Sequence, residues 1–205
     1  MAIVGLSTIK EYLPEISGST SADAELTALR DRVETAVARY LGYPVPDGSL
    51  NPVLDQATYS IYIDSPTSYD FYTLQLTISP IVSITSIHSD TNRQYLASSL
   101  IDSSTYTFNS QLGRVYLDPN IATQTFDTGY RANKVVIVAG YNSVTAPDDL
   151  EHAICVWVSQ LHRNKASQGK EQITQAQSSI RVSPKSMPFE IKEFLNPLRV
   201  PGLTL

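Results

Sequence analysis

Apolar residues return at spacings of three and four between about Ser21 and Leu41. Leu26, Leu29, Val33, Val37, Tyr40 and Leu41 make one stripe there, the periodicity of an amphipathic helix. Ser21 or Asp23 is placed to cap it and Gly42 to end it. Upstream, Ser7 to Leu13 has the length of a two-turn helix, with Ser7 as N-cap, Glu11 in the first turn and Pro14 as stop. After Gly42 the two prolines and the Asp-Gly of Tyr43 to Gly48 mark a boundary.

From there to Tyr141 the pattern has the period of strands. The expected strands are Thr58 to Ile63, Phe71 to Ile78, Ile81 to His88, Thr105 to Phe108, Arg114 to Leu117 and Lys134 to Ala139, separated by turn formers. In FYTLQLTI, Tyr72, Leu74, Leu76 and Ile78 share one face and Phe71, Thr73, Gln75 and Thr77 the other, so that sheet buries one side. VVIVA is continuously apolar and is the expected central strand, and Pro80 lets the chain kink between two strands.

Helix periodicity resumes after Pro147, which suits the first helical position, with Asp148, Asp149 and Glu151 at the positive end of the dipole. Leu150, Ala153, Ile154, Trp157, Val158 and Leu161 form a second stripe, expected to pack on the first long helix. Residues 165–179 are polar and aperiodic and read as a mobile loop or linker. A short strand, Ile180 to Val182, follows. Pro188 opens a last helix in which Ile191, Phe194, Leu195 and Leu198 face one way.

The expected fold class is therefore α+β. Residues 1–49 and 146–205 build a small helical bundle with a C-terminal docking tail, and residues 50–145 form an inserted antiparallel β-sheet or small sandwich. The helix-packing core is read as Leu26, Leu29, Val33, Val37, Leu150, Ile154, Trp157 and Leu161.

Composition narrows the function. No apolar run approaches the roughly 18 residues of a membrane span, and the N-terminus meets Lys10 and Glu11 too early for a signal peptide, so synthesis in a cytoplasm and no membrane partner are expected. One cysteine, Cys155, forbids an intrachain disulfide, and with His88, His152 and His162 it makes no zinc ligand set, so no metal or cofactor is expected. The net charge of -5 is uneven: residues 51–150 carry 4 Lys/Arg against 9 Asp/Glu, and residues 151–205 carry 7 against 4. No concentrated basic face of the kind that drives phosphate binding is visible.

Catalytic motifs are absent: there is no G-x-S-x-G, no phosphate loop, no G-x-G-x-x-G and no H-E-x-x-H. His152 and His162 lie ten residues apart on one helix and cannot chelate one metal. Asp148 and Asp149 are explained by the helix dipole, Asp64 and Asp70 by a turn, and Cys155 by packing, since no activating base can be placed beside it. Tyr59, Tyr62, Tyr69, Tyr72 and Tyr106 admit a second reading as a glycan- or receptor-binding surface, although strand propensity explains most of them. The apolar C-terminus, with Phe194, Leu195, Leu198, Val200, Leu203 and Leu205, either folds back onto its own core or docks on a partner.

Three patterns taken together resemble the head-tail connector (adaptor) family of tailed bacteriophages. They are the S-T-I-K-E-Y-L helix with the long helix ending A-V-A-R-Y-L-G-Y, the junction V-I-V-A-G-Y-N-S-V-T-A-P-D-D-L-E-H-A-I, and the C-terminal I-K-E-F-L-N-P-L-R. The matching parts are the two ends of the chain, about half of it. The resemblance implies a non-enzymatic virion protein at the head-tail interface. It would form a homo-oligomeric ring of twelve that binds the portal protein and the next neck or tail-terminator protein. DNA would pass through the channel without specific binding, which an acidic wall suits. The resemblance also implies a portal contact by the C-terminal segment, with Phe194, Leu195, Leu198, Arg199 and Leu203 as its candidate residues.

Overall fold

Gly42 takes a left-handed φ of 86° at the end of the long helix, Asp23–Leu41. Its N–H donates to the Arg39 carbonyl and the Tyr43 N–H to that of Ala38, so a paired cap closes the last turn as the sequence suggests. In the computed structural model, which describes residues 2–64, 71–122, 124–165, 172–175, 178–181 and 187–199, the fold is α+β. Two compact units divide it: residues 2–37 with 143–198, and residues 38–142 with the segment from Arg199.

The first unit is helical. It contains α1 (Leu6–Glu11), most of α2 (Asp23–Leu41), α3 (Asp148–Arg163) and α4 (Phe189–Leu195). Helix α1 starts one residue early: Gly5 occupies its N-cap without a side-chain bond, so Ser7 is not the cap. On α3 the extended residue Pro147 (ψ 143°) is the N-cap rather than the first helical residue, and its carbonyl accepts from the N–H groups of Leu150 and Glu151. The backbones closest to α3 are α4 and α1. Glu25 of α2 pairs with His162 of α3 and with Lys165 just beyond it.

Burial follows that arrangement. Leu26, Val33, Val37, Leu150 and Ile154 are buried together with Ala153, Cys155, Val158 and Ser159, whereas Leu29, Trp157 and Leu161 are only half-buried. Part of the stretch expected to be a linker is strand: among the described residues β7 (Gln172–Gln175) pairs antiparallel with β8 (Ser178–Arg181), Ile173 opposite Ile180, while 166–171 lie outside them. One apolar residue per strand is too few for a period-2 signal.

In the second unit two three-stranded antiparallel sheets lie in the orders β1-β6-β3 and β2-β5-β4. The strands are β1 (Ala57–Ile63), β2 (Thr73–Gln75), β3 (Ile81–Ser89), β4 (Tyr106–Asn109), β5 (Arg114–Leu117) and β6 (Asn133–Ala139). Strand β6 is central, and its continuous apolar run is explained by Val135, Ile137 and Ala139 being buried on one face while Val136 and Val138 are half-covered on the other. Strand β3 follows β6 with register shifts near Ser83 and Ser86.

Alternation in residues 72–78 is as expected, with Leu74, Leu76 and Ile78 buried, but the strand is only three residues long. Past Gln75 the ladder is taken over by a turn: Leu76 N–H donates to the Gly113 carbonyl at 2.7 Å, and Gln75 Nε2 donates to the carbonyls of Leu112 and Gly113. The sheets are joined where Ile81 N–H donates to the Ser110 carbonyl at 3.0 Å and Ser110 Oγ returns a bond to the Ile81 carbonyl at 2.6 Å. Gly140 follows β6 at φ 114°, where a Cβ would lie 2.6 Å from the Asp55 carbonyl oxygen. Only glycine fits that close approach.

Candidate functional site

Helix α4 is amphipathic over two turns, and its two sides meet different surroundings. Ile191 and Leu195 are fully buried, while Phe189 is 73 % and Phe194 37 % exposed. Of the residues assigned to a docking tail, Leu195 therefore belongs to the interior of its unit, because the helical period turns it inward with Ile191. Leu198 and Arg199 are half-buried, the Arg199 guanidinium lying 5.5 Å from the Tyr40 ring centroid. Leu203 lies outside the described residues.

Phe194 meets the ring of His152 edge-on, with centroids 5.1 Å apart, and the Tyr12 hydroxyl lies 2.9 Å from His152 Nδ1. His152 therefore binds α1, α3 and α4 together. Burial, assisted by the charges of Cys155, Glu151 and Glu11, raises the Tyr12 phenol above its ordinary range. Burial likewise pushes the Cys155 thiol up to about 12, with Glu151 and Glu11 adding to the effect. A thiol so protonated and enclosed is a packing group, not a nucleophile.

The other polar contacts of this unit tie elements together. Lys10 Nζ lies 2.6 Å from Asp23 and 2.7 Å from the Ser19 carbonyl, and Lys165 Nζ donates to Glu25 at 2.7 Å. Arg163 bonds Glu15 and the Tyr12 carbonyl. Among the described residues no group of His, Cys, Asp and Glu could hold a metal ion. Two surface depressions are present, one lined by Leu6, Ser7, Lys10, Glu11 and Ser17 and the other by Leu100, Ile101, Asp102, Thr105, Ala122 and Gln124. No helix among the described residues is long and apolar enough to cross a membrane.

Sequence reasoning missed one cluster, in the β unit. Tyr62 on β1 and His88 on β3 both register against Lys134 on β6. Tyr95 lies against this row, its ring 5.8 Å from that of Tyr62 and 6.5 Å from that of His88. The Arg131 guanidinium sits 4.0 Å over Tyr62, and Lys134 Nζ lies 5.9 and 5.6 Å from the two tyrosine rings. No sequence spacing unites positions 62, 88, 95, 131 and 134; only the strand register does.

Of the tyrosines read as a second, binding surface, Tyr59 is buried with its hydroxyl on the Val53 carbonyl, Tyr62 is exposed with the Arg131 guanidinium over its ring, Tyr72 and Tyr106 are half-buried, and Tyr69 lies outside the described residues.

No protein-family model matches the sequence, and no curated protein does. The fold is shared with solved structures. A chain in the neck of an empty gene transfer agent (GTA) particle, computed with C6 symmetry, aligns over 94% of this chain and 88% of its own, with a TM-score of 0.57 and 13% identity. A chain in the virion of a native gene transfer agent particle gives 0.53 at 13% identity over the same shares. One in the neck of the native particle, computed with C12 symmetry, gives 0.52 at 12% identity over 94% and 87%.

Proposed function

We propose that this chain is a structural, non-enzymatic subunit of a virion neck, forming a ring that binds the portal and joins head to tail while extending the DNA channel. The observation that carries the reading is the shared fold: 94% of the chain aligns with proteins of GTA necks.

Docking is assigned to the outer side of α4 and the segment beyond it, through Phe189, Phe194, Leu198 and Arg199. Phe189 is 73 % and Phe194 37 % exposed on α4, and aromatic side chains are enriched at the centre of protein interfaces. Leu195 supports that surface from within.

Mixing the protein with its cognate portal and imaging the product by electron microscopy tests the reading. Rings seated on the portal are expected. Absence of both rings and portal complexes at high concentration would overturn it. Replacing Phe189 by Ser should abolish seating and leave the thermal transition unchanged; seating that survives this change moves the contact elsewhere.

A further inference from the structure

Of the four Lys and Arg residues in positions 51–150, three converge on one small area of the β unit. Arg131 and Lys134 lie against Tyr62 and Tyr95, and Arg93 is exposed in the turn that carries Tyr95. In a segment with 9 acidic residues that concentration is not a matter of composition. The acids nearest the cluster are engaged by backbone N–H groups and not by the three cations. Asp90 accepts from the backbone N–H groups of Asn92, Gln94 and Tyr95, and Asp64 accepts from the N–H of Arg131 at 2.9 Å. Among the described residues none of the three cations forms an ion pair.

A second observation marks the same place. Among the described residues, the non-glycine residues with left-handed backbone are Arg93 (φ 61°), Tyr95 (φ 50°) and Arg131 (φ 52°), all within the cluster. Such conformations cost energy and persist where the surroundings hold them, commonly at contact sites. Here the Asp90 and Asp64 bonds hold them, with the Tyr95 hydroxyl donating to the Arg131 carbonyl. The cations are thereby presented on a rigid aromatic base. A guanidinium and an ammonium fixed in this way suit carboxylates.

The best complement on the chain is the first turn of α3, where Asp148 and Asp149 are exposed, Glu151 is half-buried and none forms an ion pair among the described residues. We infer that the Arg93, Arg131 and Lys134 surface receives the Asp148, Asp149 and Glu151 turn of a second copy of this chain. The inference rests on the ring reading above. Two unlike surfaces can make a head-to-tail contact, which forms a ring where its rotation closes. Charge pairing at such a rim also selects register and partner.

Charge swapping tests it by sedimentation velocity across a salt series. Wild-type association should weaken as salt rises. The pair R131E/K134E, and separately D148K/D149K, should each weaken it about tenfold or more. Mixing the two reversed chains, or combining all four changes in one chain, should restore it. Unchanged thermal transitions establish that the variants fold. Reversals without effect, or without rescue, overturn the pairing while leaving the ring intact. A wild-type chain that stays monomeric alone yet forms rings on the portal also overturns the pairing and spares the ring reading. Retention of a short DNA duplex, lost in R131E/K134E, would assign the surface to nucleic acid and overturn it too.

Discussion

The hydroxyl of Tyr12 lies 2.9 Å from Nδ1 of His152, joining residues 140 positions apart in the sequence. The same imidazole meets the Tyr12 ring at a tilt and the Phe194 ring edge-on, so one side chain holds a hydrogen bond and two aromatic contacts. Replacing Tyr12 by Phe should cost about 1 kcal/mol by urea denaturation, the value of one part-buried hydrogen bond. His152→Ala should cost more, since both aromatic contacts go with it. A double-mutant cycle that returns no coupling would show the bond to be energetically silent.

Glu34 gives a prediction with a defined sign. Its Oε1 accepts from the N–H groups of Ile3 at 3.0 Å and Val4 at 3.2 Å, tying the N-terminal segment to α2. Burial raises its carboxyl above the ordinary range, outweighing these bonds and the nearby Arg30. The folded state therefore holds the proton more tightly than the unfolded one, and this group's contribution falls as pH rises from the unfolded to the folded value. Glu34→Gln keeps an acceptor and removes the charge, so it should be neutral or stabilising at pH 7 and should flatten that slope. Glu34→Ala strands two donors and should cost about 1–3 kcal/mol. Thermal melts between pH 4 and pH 8 compare the three proteins.

Asp90 has the opposite sign. Desolvation alone would raise its carboxyl, but the backbone N–H groups of Tyr95, Asn92, Gln94 and Arg93 together hold it below the ordinary range. Its contribution is present above the unfolded value and lost as pH falls through the folded one. Asp90→Ala should loosen the 90–95 turn, seen as faster amide exchange at Asn92, Gln94 and Tyr95. Exchange unchanged at those three amides would refute the role given to the carboxylate.

Gly140 lies in the strand-to-helix junction that carries the sequence resemblance. At φ 114° with the Asp55 and Leu54 carbonyl oxygens 2.6 and 2.8 Å from a Cβ, alanine is both strained and blocked by backbone. Gly140→Ala should destabilise by about 2 kcal/mol or more, whereas Gly18→Ala, with open space around it, should be nearly silent. Parallel urea titrations decide between them.

Much of the architecture was legible in local pattern. Arg114 to Leu117 is a strand with the boundaries its alternation suggests, β6 is central as VVIVA suggests, and Gly42 ends α2. These features depend on neighbours a few residues apart, so a one-dimensional pattern contains them. The shortening of β2 did not, because it depends on Gly113 and the Gln75 amide supplying bonds from across the sheet. Leu195 and Phe194 are adjacent and both apolar; packing against the rest of the unit sent one to the interior and left the other at the surface.

By itself the sequence determined the order of α1 to α4 and of β1 to β6, and the acidic character of the chain. Tertiary structure alone decided that Leu195 turns inward while Phe189 stays exposed, and that Arg131 and Lys134 meet Tyr62 and Tyr95. The physical reason is the same in both cases. Periodicity encodes which face of an element is apolar, but not which distant element satisfies that face, and cations scattered through an acidic segment become a site only once strand register sets them side by side.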